Sequence, residues 1–167
     1  ANMAPILAAQ AKIWHWNTPI DFGKSWRGTR ILGDHKTWRG LCSGVVAGIV
    51  VMLLQTILAN ILNLQDHLPL PASYWEANPV LLGALFGFGA LTGDSLKSFF
   101  KRRLGIASGR SWVPFDQIDY IIGGAVAVAC ITVLTMSQYI WVLAFWLIAH
   151  FGVSYLGYLM HFKDEPV

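Results

Sequence analysis

The sequence is poor in charged residues and nearly free of cysteine. Only 13% of its 167 residues are charged, against roughly 25% in an ordinary soluble domain. So few charges could not cover the surface of a soluble domain, and disorder is excluded because it needs low hydrophobicity and high charge. The two cysteines, Cys42 and Cys130, lie in apolar runs, so neither a disulfide framework nor a zinc site is indicated.

Long apolar runs take the place of the missing charge. Apolar residues make up 55% of the chain, and its mean hydropathy is +0.51. A bilayer core needs about 20 apolar residues per helix, and lipid-embedded backbone must satisfy its own hydrogen bonds, which favours helices over strands. We therefore predict an all-α, polytopic membrane bundle in a single domain, residues 1–167, with spans at 41–62, 79–98, 116–136 and 139–160.

The basic residues are distributed unevenly between the connecting segments. All 12 Lys and Arg residues fall in 12–40, in 97–110 or at Lys163, whereas 63–78 and the turn at 135–138 contain none. The positive-inside rule then places the loops 12–40 and 99–115 in the cytoplasm. We expect a multi-pass protein of the cell membrane with its polar face towards the cytoplasm. The net charge of +3 indicates orientation or an anionic substrate, and no nucleic-acid partner.

Glycines recur at a spacing of four within the predicted spans. Small residues at this spacing allow helices to approach closely. Two outcomes remain open, tight packing within the chain, which we favour, and formation of a homodimer. The glycines in question are Gly40, Gly44, Gly48, Gly83, Gly87, Gly89 and Gly93.

Three aspartates lie where membrane topology alone does not require them. Asp94 precedes Lys97 by three residues and Lys101 by seven, so the three share one helix face, and Asp116 and Asp119 share another. Carboxylates bind Mg²⁺, which bridges to substrate phosphates, and neighbouring cations would hold the remaining phosphate charge. The alternatives are an N-cap role for Asp116 and a simple surface ion pair for Asp94.

A second group of phosphate donors lies in the first loop. Lys36, Thr37 and Arg39 follow Gly33 and lead directly into the first predicted span. The spacing is not that of a Walker loop. A solvated basic loop at the headgroup surface is an equally good interpretation.

These motifs together resemble the CDP-archaeol synthase family, membrane cytidylyltransferases related to bacterial phosphatidate cytidylyltransferase. Ser98-x-x-Lys101-Arg102 followed by Asp116-Gln117-x-Asp119 resembles the wider signature of these enzymes. The runs 93–103 and 114–119 carry the resemblance, and 17–23 and 32–40 in the first loop fit it too. Several motifs occur in the same order, and the resemblance covers nearly the whole chain.

The resemblance implies a reaction in which CTP and a membrane lipid phosphate give a CDP-lipid and pyrophosphate. The implied lipid is 2,3-di-O-geranylgeranylglycerol 1-phosphate or a similar lipid phosphate. Five transmembrane helices are implied, so we expect that the first is missing ahead of Ala1, and the implied cofactor is Mg²⁺. Asp94, Asp116 and Asp119 are the implied metal ligands and, with Lys97 and Lys101, the catalytic residues. The implied substrate-binding residues are Asp21, Asp34, Lys36, Thr37, Arg39, Ser98, Arg102, Arg103 and Gln117.

Other functions fit parts of the sequence. A phosphatidate cytidylyltransferase that makes CDP-diacylglycerol is the main alternative, because no residue distinguishes ether from ester lipids. A CDP-alcohol phosphotransferase is disfavoured, because its Asp-Gly motif is absent and the aspartates have a different spacing. A small transporter or a structural membrane subunit is the non-enzymatic alternative.

Overall fold

A computed structural model describes residues 4–5, 16–106, 110 and 112–159. Parts of the two predicted loops, at 12–15, 107–109 and 111, and residue 160 of the last predicted span lie outside these residues. The chain divides into two compact units, one up to Val133 and the other from Leu134.

The first unit begins with a small hairpin in the first loop. Strands β1 (Ser25–Trp26) and β2 (Thr29–Arg30) pair antiparallel, with Ser25 opposite Arg30 and Trp26 opposite Thr29. The two residues between the strands have φ of 52° at Arg27 and 78° at Gly28. Positive φ at both central positions is the geometry that two-residue hairpins favour.

Two helices of this unit are long and apolar enough to cross a membrane, α1 (Trp38–Ile61) and α3 (Pro79–Arg103). They match the predicted spans 41–62 and 79–98, although α3 continues further. Each begins at a side-chain cap. Thr37 accepts from the Gly40 amide, and Asn78 accepts from the amides of Val80 and Leu81.

Between these two helices the chain forms a short 3₁₀ turn (Leu64–Asp66) and the five-residue helix α2 (Ala72–Glu76). The α2 segment closes one end of a small apolar core made by Met52, Leu82 and Val128, with Tyr74 packed against it. The Ser73 hydroxyl lies 2.8 Å from the Thr132 hydroxyl. The non-basic segment 63–78 is therefore folded onto the helices rather than a free loop.

Helix α4 (Phe115–Val128) is shorter than the predicted span 116–136. The chain leaves the helix after Val128, and residues 132–135 are irregular. Ile131, Thr132 and Val133 are β-branched, which lowers helix propensity. The Thr132 hydroxyl is also engaged by Ser73.

The second unit contains α5 (Met136–Leu159), which begins three residues before the predicted span 139–160. The polar residues that predict a turn at 135–138 instead cap this helix. The Thr135 amide donates to Gln138 Oε1 at 2.7 Å, and the Gln138 amide faces Thr135 Oγ1 at 3.4 Å. This reciprocal pair is a capping box, so the turn precedes residue 135.

Helix α3 is central in the first unit, with α1 on one side and α4 on the other. Glycines make both contacts close. A Cβ atom on Gly48 would lie 2.4 Å from the Gly83 carbonyl oxygen, and one on Gly89 would lie 2.4 Å from that of Gly123. The glycine repeats thus serve packing within the chain, as we favoured.

Candidate active site

One end of the first unit collects charged side chains from three elements. Asp94, Lys97 and Lys101 lie on one face of α3, Asp116 and Asp119 lie on the first turns of α4, and Lys36 lies in the loop just before α1. A Cβ on Gly93 would lie 2.3 Å from the Asp119 carbonyl oxygen. This close approach sets α3 and α4 side by side. We call these six residues the lysine–aspartate cluster.

Lys97 is the centre of the cluster. Its ammonium nitrogen lies 2.7 Å from Asp116 Oδ1, 2.9 Å from Asp119 Oδ2 and 3.1 Å from Asp94 Oδ1. Side-chain exposure is 12% for Lys97 and 7% for Asp119. A charge this far removed from water is tolerated only when it is closely paired, and Lys97 is paired with all three carboxylates.

The other two lysines complete the cluster from opposite sides. Lys36 forms an ion pair with Asp94 Oδ2, which ties the first loop to α3. Lys101 lies 3.3 Å from Asp116 Oδ2 and donates to the Arg110 carbonyl. The Trp112 amide donates to the same Asp116 oxygen at 2.6 Å. Three positive and three negative charges therefore balance at this end of the helices.

The donor chemistry of the cluster suits a hard cation, but its geometry in this state does not. The described residues contain no group of three or more His, Cys, Asp or Glu placed to hold a metal ion. The Lys97 ammonium lies where the carboxylates converge. Gln117 Oε1 is nevertheless buried without a hydrogen-bond partner among the described residues. A buried oxygen without a donor is costly, so this one is available to a ligand.

Asp21 organises the first loop around itself. Its carboxylate, 1% exposed, accepts from the amides of Gly23, Leu32 and Gly33 and from Arg30. Burial alone would raise the pKa of Asp21, but these hydrogen bonds prevail and lower that pKa to about 2. Asp34 also pairs with Arg30 but is 76% exposed. Both aspartates shape the loop, and a direct substrate contact for either stays a prediction.

Arg103 joins the end of α3 to the hairpin. Its guanidinium donates to the backbone oxygens of Trp26, Thr29 and Arg30. It also stacks at 5.0 Å from the ring centroids of both Trp26 and Phe99. Its expected phosphate contact would have to compete with these partners.

A cavity of about 410 Å³ opens beside the cluster, between the first loop, α1 and α3. Lys36, His35 and Asp94 supply its polar lining, and Ile20, Leu41 and Leu91 supply its apolar lining. The cavity therefore has both charged and apolar lining residues.

The remaining predicted substrate-binding residues differ in whether their side-chain polar groups already bond to the protein. Ser98 is buried and donates to the Asp94 carbonyl at 2.8 Å, and the Thr37 hydroxyl is the N-cap of α1 while its residue lines the cavity. Arg102 Nε is buried, and no described residue accepts from it. Arg39 is half-buried in the first turn of α1. The hydroxyls of Ser98 and Thr37 thus bond to the backbone of α3 and of the start of α1.

Sequence reasoning missed Arg30, Trp26 and Phe99. Arg30 holds Asp21 and Asp34 together, and Trp26 and Phe99 stack at 5.9 Å with Arg103 beside them. Arg30 and Asp34 are four residues apart, and this spacing could have indicated their ion pair. No local pattern connects Trp26 with Phe99, which lie 73 positions apart.

Known proteins resemble this chain along nearly its whole length. The family described as CarS-like CDP-archaeol synthase matches residues 3–167. The CDP-archaeol synthase of Thermococcus gammatolerans is 37% identical over 168 residues, covering 99% of this chain and 88% of that protein. The CDP-archaeol synthase of Methanocorpusculum labreanum is 35% identical over 166 residues, covering 89% of this chain and 90% of that protein. A solved intramembrane enzyme for archaeal membrane lipid biosynthesis is 30% identical with a TM-score of 0.66, covering 90% of this chain and 89% of that one.

Proposed function

Because the chain belongs to the CDP-archaeol synthase family, we propose that its lysine–aspartate cluster is where CTP reacts with a lipid phosphate. The chain is a membrane cytidylyltransferase that uses CTP and an archaeal lipid phosphate. The observation that supports this location is the convergence of Lys36, Lys97 and Lys101 beside a cavity whose walls are partly apolar.

The reaction replaces one phosphoric anhydride bond by another. An oxygen of the lipid phosphate forms a bond to the α-phosphorus of CTP. The bond from that phosphorus to the oxygen bridging to the β-phosphate breaks, and pyrophosphate leaves. The protein has little covalent chemistry to perform, so positioning and charge neutralisation supply most of the rate enhancement.

The three lysines of the cluster have the charge that a triphosphate requires. Lys36 approaches from the first loop, and Lys97 and Lys101 approach from α3. In our proposal these lysines bind the phosphates of CTP. Arg39, Arg102 and Arg103 add further positive charge around them. Asp21 keeps the loop in the shape that brings Lys36 to Asp94.

We also propose that the reaction depends on Mg²⁺, held by Asp94, Asp116 and Asp119. The metal would neutralise triphosphate charge at the reacting centre. The approach of all three carboxylates to one point, the Lys97 ammonium, supports this assignment. The ligand set requires that Lys97 leave the point where the carboxylates converge.

The membrane arrangement is part of the proposal. With α1 and α3 crossing the bilayer, the cluster lies at the end of each where the basic residues collect, and the positive-inside rule assigns that end to the cytoplasm of the cell. We propose four spans in this chain, with the segment 115–135, which begins with α4, and α5 contributing the other two. A homodimer is not required, because α1, α3 and α4 use their glycines against one another.

The test is a reaction of purified protein with CTP labelled at the α-phosphate and a panel of lipid phosphates in detergent. We expect labelled CDP-lipid and an equal amount of pyrophosphate, with 2,3-di-O-geranylgeranylglycerol 1-phosphate preferred over phosphatidate. EDTA should abolish both products, and added Mg²⁺ should restore them. Preference for phosphatidate would favour CDP-diacylglycerol synthesis, and absence of pyrophosphate with every lipid would contradict the proposal.

A further inference from the structure

We propose that the β1–β2 hairpin contacts the membrane beside α3 and that its cations bind the headgroups of anionic phospholipids. The hairpin surface consists of Lys24, Trp26 and Arg27, together with the Arg103 side chain that stacks on Trp26. The proposal goes beyond the proposed function, because it depends on the position of α3 in the membrane and not on the reaction with CTP.

An exposed apolar stripe on α3 runs past the lysine–aspartate cluster to the end of the helix. Leu96, Phe100 and Leu104 follow one another at intervals of four, and each is more than half exposed, so they lie on one face. Lys97 and Lys101 are instead paired with carboxylates of α4. An exposed apolar stripe marks a protein or membrane contact, and this one continues a helix that is long and apolar enough to span a bilayer. The lipid-facing side of α3 therefore extends to its end.

Helix length places Phe100 at the edge of the hydrocarbon. Each helical residue adds about 1.5 Å, so α3 from Pro79 to Phe100 is about 32 Å long, close to the roughly 30 Å hydrocarbon core. The rings of Phe100 and Phe99 have centroids 5.5 Å apart, and Phe99 stacks on Trp26 at 5.9 Å. The half-exposed indole of Trp26 therefore lies at headgroup level, where Trp is enriched in membrane proteins.

Three cations surround this indole. The guanidinium groups of Arg27 and Arg103 lie 5.4 Å and 5.0 Å from its centroid. Lys24 precedes Trp26 by two residues, and side chains two apart share one face of a strand. Within the described part of the chain, none of the three cations forms a salt bridge with a carboxylate. Their positive charge is thus available to an anionic partner.

An anionic lipid headgroup is the partner that matches both features of this surface. A soluble anion would match the charge but would leave the stripe of Leu96, Phe100 and Leu104 uncovered. A zwitterionic lipid would cover the stripe but would not neutralise the cations. Basic residues beside a membrane-crossing helix are attracted to anionic headgroups, and binding there attaches the first loop, which carries Lys36, to the bilayer.

The test is quenching of Trp26 fluorescence in nanodiscs made of phosphatidylcholine with a minority of phosphatidylglycerol. Two preparations have the same composition, but the acyl chains of only one lipid carry bromine, either phosphatidylglycerol or phosphatidylcholine. The contribution of Trp26 is the difference between wild type and Trp26→Phe, which keeps a ring against Phe99. Quenching by phosphatidylglycerol should exceed its bulk fraction by about fivefold, the equivalent of the ~1 kcal/mol that one Lys or Arg gains near an anionic surface.

Matched variants assign this preference to the hairpin cations. Lys24→Gln/Arg27→Gln, measured with and without Trp26→Phe, should lose the excess while brominated phosphatidylcholine still quenches Trp26. Arg110→Gln removes an exposed cation between α3 and α4 and should resemble wild type. Hydrogen exchange of wild type needs no substitution, and residues 24–27 should exchange more slowly in these nanodiscs than in phosphatidylcholine alone.

Several results would overturn the proposal. If neither brominated lipid quenches Trp26, then water, a second copy of the chain or another protein covers the hairpin surface. Quenching that follows the bulk lipid fraction would exclude a preference for anionic headgroups, and an excess that survives in Lys24→Gln/Arg27→Gln would exclude the role of these cations. If Trp26→Phe does not fold, hydrogen exchange decides, and equal exchange with and without phosphatidylglycerol would contradict the proposal.

Discussion

The guanidinium of Arg103 stacks on the indole ring of Trp26, 5.0 Å from its centroid, and donates to the backbone oxygen of the same residue. The two residues are 77 positions apart in the chain. Their contact attaches the first loop to the end of α3, beside the lysine–aspartate cluster. The loop that carries Lys36 is thus held at both its hairpin and its Asp94 contact.

Replacing Arg103 with Gln should loosen this attachment. We expect faster hydrogen exchange in residues 19–33 and a red-shifted Trp fluorescence, because the side chain loses its carbonyl partners and its ring contacts. Arg27→Gln is the matched control, since Arg27 also lies over Trp26, at 5.4 Å, but belongs to the hairpin itself. Unchanged exchange in Arg103→Gln, with a raised KM for CTP, would assign Arg103 to phosphate binding instead.

Asp119→Asn should lower CDP-lipid formation by about 100-fold or more, as loss of one electrostatic group at a reacting centre does. The side chain keeps its shape, so the protein should still fold, but the melting temperature should fall because Lys97 loses one of its three carboxylate partners. Glu76→Gln, at an exposed position on α2, should retain activity. Full activity in Asp119→Asn would contradict the metal and catalytic assignment of this residue.

Gly89→Ala should destabilise the first unit by about 3 kcal/mol, the upper end of the usual cost of overpacking. The added Cβ would lie 2.4 Å from the Gly123 carbonyl oxygen, and backbone cannot rotate away as a side chain can. The measurement is thermal unfolding in detergent. Gly152→Ala is the control, because the described residues place no atom within 4 Å of the Cβ position at Gly152, apart from the backbone of its own helix. Equal melting temperatures for the two variants would argue against the packing described.

Asp21 should make the first loop sensitive to acid. Its pKa is lowered from 3.8 to about 2, so the ionised carboxylate stabilises the fold fully above about pH 4, and this contribution is lost as the pH falls towards about 2. Unfolding followed across this range should show a smaller pH dependence in Asp21→Asn, which should also cost about 1–3 kcal/mol at neutral pH. Asp34→Asn serves as the control, since Asp34 pairs with the same arginine while largely exposed. An identical pH dependence in wild type and Asp21→Asn would refute this role.

The helix boundaries show which parts of the fold local sequence patterns can predict. The apolar runs predicted α1 and α3 closely, because caps at Thr37 and Asn78 coincide with changes in hydrophobicity. The predicted span 116–136 exceeded α4, because Thr132 finds its partner in Ser73, a contact across 59 positions. A polar cluster at 135–138 predicts a turn or a capping box equally well from composition, and only hydrogen-bond geometry distinguishes the two.

The sequence by itself determined the membrane character, the sorting of basic residues to one side and the family motifs, because each depends on composition or on spacing along the chain. It also placed Asp94 and Lys97 on one helix face. Only the tertiary structure decided that Lys97 lies between Asp116 and Asp119 of another helix, that Arg103 faces the hairpin, and that Asp21 is enclosed by its own loop. The physical reason is that these contacts depend on how α3 is rotated against α4. That rotation is set by backbone approach at Gly89 and Gly93, which the periodicity of either helix alone does not determine.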